Sequence, residues 1–287
     1  MAAIVPPGAQ PISFHGIPAI ALSGPQGASA IISLQGAQLL SWIPASGREW
    51  LYLSGQADYS GATAIRGGVP VCFPQFSGQG DLPKHGLVRC LPWNLVDQHA
   101  DDESVSVTLG LSDSAQTRQL WPHAFLIKLE ISLSALSVEI AFAIENTGAE
   151  TFSFTAALHT YLRVDEISWV QIGGLNGVDY RDAVNGNREE IERHPWIVID
   201  GEVDRVYHAA LGLELRDGAG TLAIDSAGFA ETVVWNPGAE KCAALVDMSP
   251  ADFRRMLCIE AACADVGIEL TPARRWQGSQ TMRADGA

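Results

Sequence analysis

The sequence predicts an all-β protein, a large antiparallel β-sandwich, on three observations. Short segments rich in β-branched and aromatic residues recur between turn signals along the whole chain. The 287 residues include 28 glycines and 15 prolines, the turn chemistry that many short strands need. Few segments carry a helical period, and no linker, charge block or repeat divides the chain. The expectation is one domain spanning residues 1–287.

In chain order, Ala28–Leu34, Ala37–Ile43, Ser104–Leu111, Phe125–Leu133 and Leu136–Ile144 read as strands. Val138 to Ile144 alternates large and small apolar groups, as a strand packed between two sheets does. Asn146-Thr147-Gly148 then turns the chain into a strand over Thr151–Leu162. Later strands are expected at Val203–His208, Gly212–Arg216, Thr221–Ile224, Thr232–Trp235, Leu257–Ala264 and Gly267–Leu270. The best helical candidate is a turn or two over Ser249–Arg255, with Ser249 as cap and Pro250 at the first helical position.

Composition narrows the function. A 47% hydrophobic content is ample for a packed core and argues against disorder. The formal net charge of -15 argues against a nucleic-acid or anionic-membrane partner, so an anionic ligand must meet a focused basic pocket. Met1 to Gln10 lacks the basic and apolar regions of a secretory signal, and no window approaches the length of a membrane span. The five cysteines are odd in number, sit mostly in apolar runs and show no CxxC spacing. Reduced thiols in a cytoplasmic protein, with neither a disulfide framework nor a structural zinc site, are the expectation. The oligomeric state is not legible.

One local stretch breaks the acidic pattern. Arg66, His85 and Arg89 fall within 24 residues, beside Gly67-Gly68, Pro70 and Pro74. Cations concentrated against an acidic background point to an anion site, and two glycines let the backbone approach a ligand closely.

Two strands carry ionisable groups in unusual company. In Phe152–Leu162, alternation sends Phe152, Phe154, Ala156 and Leu158 to one face, and Ser153, Thr155, Ala157, His159 and Tyr161 to the other. The second face reads either as a cavity wall ending in His159 or as a half-buried strand whose histidine bonds a neighbour. In Met256–Ala264, Glu260 is the only charge among nine residues. A buried, unpaired carboxylate is very costly, so Glu260 either lines a cavity or is compensated by a salt bridge, with the arginines as candidate partners. Asp204 and Arg205, taken alone, read as an ordinary polar strand entry. Trp235-Asn236-Pro237-Gly238 reads as a strand end whose tryptophan is either core or a platform for a sugar ring. His15, His99, His123, His194 and His208 have no motif around them.

Taken together, these segments resemble the aldose 1-epimerase (mutarotase) superfamily, in its glucose-6-phosphate 1-epimerase or hexose-6-phosphate mutarotase branch. The resemblance rests on Ile65-Arg66-Gly67-Gly68-Val69-Pro70 with Pro74, on His85-Gly86 through Arg89, and on Pro92-Trp93. It continues through Leu158-His159-Thr160-Tyr161, Val203-Asp204-Arg205-Val206-Tyr207, Val234-Trp235-Asn236-Pro237-Gly238 and Cys258-Ile259-Glu260-Ala261. The tail departs from the family pattern at Pro272-Ala273-Arg274-Arg275-Trp276, and Gly278-Ser279-Gln280 resumes it.

The resemblance implies a galactose mutarotase-like β-sandwich with His159 as general acid and Glu260 as general base. It implies that His85 holds the sugar near its ring oxygen, that Asp204 binds hydroxyls, and that Arg66 and Arg89 receive a phosphate. No metal or organic cofactor is implied, and the partner is a small sugar phosphate. In such a pair each group is expected to favour the charged form of the other, keeping Glu260 ionised and His159 protonated. Two alternatives stay open: a mutarotase for unphosphorylated aldoses, and a non-catalytic carbohydrate-binding module of the same fold.

Overall fold

The computed structural model describes residues 7–218 and 220–286; the first six residues of the Met1–Gln10 stretch lie outside it. Among the described residues the strands form three antiparallel sheets. A four-stranded sheet runs from Gly8–Phe14 through Ile17–Ser23 and Ser29–Ser33 to Leu39–Ile43. A nine-stranded sheet has Arg275–Ala284, Ser137–Asn146, Phe125–Leu133 and Val105–Ser112 as successive neighbours. An eight-stranded sheet, which carries the site, orders Val203–Tyr207, Glu231–Asn236, Met256–Leu270, Phe152–Leu158 and Val71–Cys72 side by side.

Aromatic rings from both large sheets knit the core. Phe73 meets Phe125 at 5.4 Å and Phe154 at 5.3 Å, while Trp276 meets Phe142 at 6.0 Å and Phe154 at 5.7 Å. Edge-to-face contacts at these spacings suit the ring quadrupoles and add to area burial. Phe152, Phe154, Ala156 and Leu158 all enter this core, as strand alternation predicts.

Several expected elements change in detail. Thr151–Leu162 divides into Phe152–Leu158 and Tyr161–Arg163, and the two strands expected between Leu257 and Leu270 are one, Met256–Leu270. The turn near Ser249 shrinks to a 3-10 turn at Asp252–Arg254, and the capping is reversed: the Ser249 N–H donates to the Asp252 carboxylate at 2.8 Å. The doubtful tail segment enters the Arg275–Ala284 strand, with Trp276 packed on the core.

Sheet register fixes which side chains share the outer face of the eight-stranded sheet. Glu260 pairs with Val233, Cys258 with Trp235, and Trp235 with Asp204. Paired residues point to the same side, so Glu260, Trp235 and Asp204 stand together while Ile259 and Ala261 enter the core.

Candidate active site

His159 follows the Phe152–Leu158 strand, beside Glu260 on the neighbouring one. The backbone bonds His159 N–H to Pro70 C=O at 2.9 Å and Tyr161 N–H to Gly68 C=O at 2.8 Å lay the Arg66–Pro70 segment alongside. That approach needs Gly67 and Gly68: both have positive φ, and a Cβ on Gly68 would collide with the Leu39 carbonyl. From the other side, the loop after Phe73 returns through Lys84 and His85, closed by Leu87 N–H donating to Phe73 C=O at 2.9 Å. These elements enclose a cavity of about 70 Å³ lined by Arg66, Phe76, Ser77, Lys84, His85, His159, Tyr161, Asp204, Val233, Trp235 and Glu260. A second hollow of about 160 Å³ shares Arg66 and Tyr161 and adds Thr63, Ala64, Ile65, Pro70, Arg89 and Asp247.

Five of the six residues expected at the site, His159, Glu260, His85, Asp204 and Arg66, line one cavity. Arg89 lines the second hollow, with Arg66 on the wall between the two. No arginine compensates Glu260 directly: its ion-pair contact is His159, whose Nδ1 lies 3.4 Å from the Glu260 Oε1. That is longer than a well-formed hydrogen bond. His159 Nδ1, Glu260 Oε2 and Arg89 Nε are all buried without a hydrogen-bond partner. Orphaned polar atoms clustered at a cavity are what a polar ligand would satisfy.

The charge state differs from the expected ion pair. Burial, aided by the charges of Asp204, pushes the Glu260 carboxyl well above the usual carboxylate range. Burial, with further push from the cations Arg89 and Arg66, holds the His159 imidazole well below its ordinary value. Desolvation thus works against the charged form of both groups, in the direction of a carboxylic acid beside a neutral imidazole. That arrangement and the expected ion pair hold the same single proton, on opposite partners.

His85 is neutral as well. Burial and the neighbouring cations Arg89, Lys84 and Arg66 push it down to about 2. Its Nδ1 accepts the Ser77 N–H at 3.3 Å and lies 3.4 Å from the Cys72 sulfur, which leaves Nε2–H as a donor. Tyr161 stacks on His159 at 4.9 Å with ring planes 10° apart, and Trp235 sits edge-on to both rings at 6.2 and 6.1 Å. The tryptophan is thus a cavity wall.

Three further polar residues lie at or behind the cavity; Asp247 and Lys84 carry no sequence signal, and Gln280 only its place in the family pattern. Asp247 accepts from Arg66 Nε at 3.0 Å, and Tyr161 Oη accepts from Arg66 Nη1 at 2.7 Å, orienting the guanidinium between the hollows. Lys84 enters the cavity, where burial lowers its pKa. Gln280 lies behind the sheet, its Oε1 accepting from Thr160 Oγ1 at 2.5 Å and its Nε2 donating to Ile259 C=O at 3.1 Å. It clamps the residues that adjoin His159 and Glu260. His159, Cys258 and Glu260 have ligand atoms within 4.8 Å of one another, and burial raises the pKa of the Cys258 thiol. The five described cysteines are all free.

This fold, with a polar hollow on its outer sheet face, is that of the mutarotase-like β-sandwiches. Residues 18–283 match the family model described as aldose 1-epimerase, and the chain belongs to that family. A relative from Cenchrus ciliaris, described as a candidate glucose-6-phosphate 1-epimerase, is 34% identical over 281 residues, covering 94% of this chain and 85% of its own. The crystal structure of a candidate mutarotase from Salmonella typhimurium superposes with a TM-score of 0.88 at 30% identity, covering 97% of this chain and 94% of that one. A galactose mutarotase-like protein from Clostridium acetobutylicum shares the fold with a TM-score of 0.79 at 13% identity, over 98% and 99% of the two chains. The protein is an isomerase that interconverts the α and β anomers of a sugar. No helix among the described residues is long and apolar enough to cross a membrane.

Proposed function

We propose that the sugar is a hexose 6-phosphate, glucose 6-phosphate first, and that His159 and Glu260 are the acid–base pair that opens and recloses its ring. The observation that carries the chemical assignment is the buried contact between these two side chains, each with an orphaned polar atom, in a cavity also lined by Asp204 and His85. Ring opening removes a proton from the C1 hydroxyl and delivers one to the ring oxygen. A pair holding a single proton does both with no net change, and reverses roles on closure after the C1 carbonyl has turned. Positioned proton transfer of this kind supplies about 10²–10⁴-fold per group. The neutral His85 offers Nε2–H to a sugar oxygen, as an electrophile that never competes for the transferred proton. Asp204 accepts from hydroxyls.

The phosphate falls to the adjoining hollow. Arg89 Nε is buried and unpartnered there, and the two bonds that fix Arg66 engage Nε and Nη1, leaving Nη2 for a ligand. Guanidinium groups suit phosphate oxygens in number and direction of donors. The relatives' description as candidate glucose-6-phosphate 1-epimerases points the same way. Five free thiols fit a cytoplasmic setting.

Polarimetry tests the reading. Fresh α-glucose 6-phosphate should lose its excess rotation faster with protein than without, and free galactose in parallel should respond far less. Equal acceleration of both sugars would favour an aldose mutarotase with structural arginines. Arg66→Ala and Arg89→Ala should each raise KM for the hexose 6-phosphate much more than for the free hexose; equal effects on the two substrates would remove the phosphate assignment.

A further inference from the structure

Burial works against the imidazolium of His159 and the carboxylate of Glu260, the forms that the roles of general acid and general base use. Any charge that favours those forms therefore favours proton transfer in that sense. The layout of the two hollows supplies a candidate.

Arg66 and Tyr161 form the wall shared by the two hollows. On that wall the Arg66 guanidinium donates to Tyr161 Oη at 2.7 Å, and the Tyr161 ring lies flat on His159 at 4.9 Å. The phosphate hollow is therefore one side chain away from the acid. We propose that an oxyanion seated between Arg66 and Arg89 arms the His159–Glu260 pair, so that the substrate's own phosphate, or a free dianion in its place, accelerates proton transfer at C1. The proposal rests on the placing of the phosphate in that hollow.

The physical cause is charge cancellation. His159 faces Glu260, the neutral His85 and the un-ionised Tyr161, and the cations acting on it are Arg89 and Arg66. Both arginines disfavour the imidazolium while their hollow is empty. A dianion between them, in a hollow where Asp247 already pairs with Arg66, adds the negative charge that offsets both cations at His159. The pair is thereby biased towards carboxylate and imidazolium, by movement of its own proton and with none gained or lost. Lys84 and Asp204 act on Glu260 in opposite directions and lie on the sugar side, so they leave this balance in place. Phosphate binding energy thereby appears in kcat as well as in KM.

Sulfate is the probe, because it stays dianionic across the working pH range. Anomer exchange of free glucose is followed by NMR at constant ionic strength, with sodium chloride exchanged for sodium sulfate. Sulfate should accelerate exchange of free glucose roughly tenfold at saturation, the effect of a one-unit shift in the pair. The same sulfate should inhibit glucose 6-phosphate turnover competitively, and Arg89→Ala should abolish both effects. If sulfate competes with glucose 6-phosphate yet leaves free glucose unchanged, the anion site stands and the arming is overturned. If sulfate touches neither substrate and Arg89→Ala weakens both equally, the phosphate assignment falls and the arming with it.

Discussion

His159 and Glu260 are legible in the sequence as residues out of place: one imidazole closing a face of small side chains, one carboxylate among eight uncharged neighbours. Their proton is not legible. It depends on burial and on Arg66 and Arg89, which approach from another segment of chain. The working form, with one proton on the pair, is lost at low pH when the pair gains a second proton and at high pH when it loses its last. A lowered histidine moves the acid limit below the ordinary value near 6.5, and a raised carboxyl moves the alkaline limit above the carboxylate range. For free glucose, which has no phosphate to titrate, kcat/KM should be flat through pH 6.5, with its acid-side fall at lower pH. An inflection at the ordinary histidine value would show that burial does not govern His159. Lys84 and Asp247 stayed invisible for a plain reason: a charged side chain in a polar stretch looks the same whether it faces solvent or a cavity.

At the scale of elements, the strands with one apolar face were legible, and edge and supporting strands were not. Asn94–Ala100 is exposed throughout, so it has no alternation to read. Arg275–Ala284 opens with charge and shows its buried face at Gly278, Gln280, Met282 and Ala284, of which only two are ordinary hydrophobics. Its Gln280 does the tying behind the site. Gln280→Leu should leave Thr160 Oγ1 and the Ile259 carbonyl unpaired in the core and cost about 1–3 kcal/mol, read by urea denaturation. It should also lower kcat more than it raises KM, because it loosens the catalytic pair rather than the phosphate hollow. A variant as stable and active as the parent would show that the clamp is idle. The glycine pair was expected to turn the backbone or bring it close to a ligand; what it approaches is the protein's own backbone. Gly68→Ala should therefore destabilise the fold, through its positive φ and the collision with the Leu39 carbonyl, and a thermal melt equal to the parent's would contradict that packing.

At the scale of the whole molecule, burying neutral histidines makes stability depend on pH. Their pKa values are lowered on folding, so between the folded and unfolded values the unfolded chain binds more protons. Their contribution is complete above about pH 6.5 and is lost as pH falls towards the folded value, about 2 for His85. Glu260 has the opposite sign: its raised pKa favours folding at low pH, and that help is lost as pH rises. Over pH 6 to 4, His85→Gln should show a shallower fall of unfolding free energy than the parent, by about 1.4 kcal/mol per pH unit for one proton. Parallel slopes would mean that His85 titrates normally. The net charge of -15 gives an anionic sugar no long-range attraction, so the proposed phosphate recognition is short-range and local to the two arginines.

The central claim is that one imidazole and one carboxyl in a shared hollow carry out the anomer exchange. Two-dimensional exchange NMR of glucose 6-phosphate, reading cross-peaks between its two anomeric protons, tests it most directly. Strong cross-peaks are expected with the parent protein, falling to the uncatalysed rate with His159→Ala and with Glu260→Gln while circular dichroism stays unchanged. Exchange that persists in either folded variant would contradict the account and place the proton transfer on another residue.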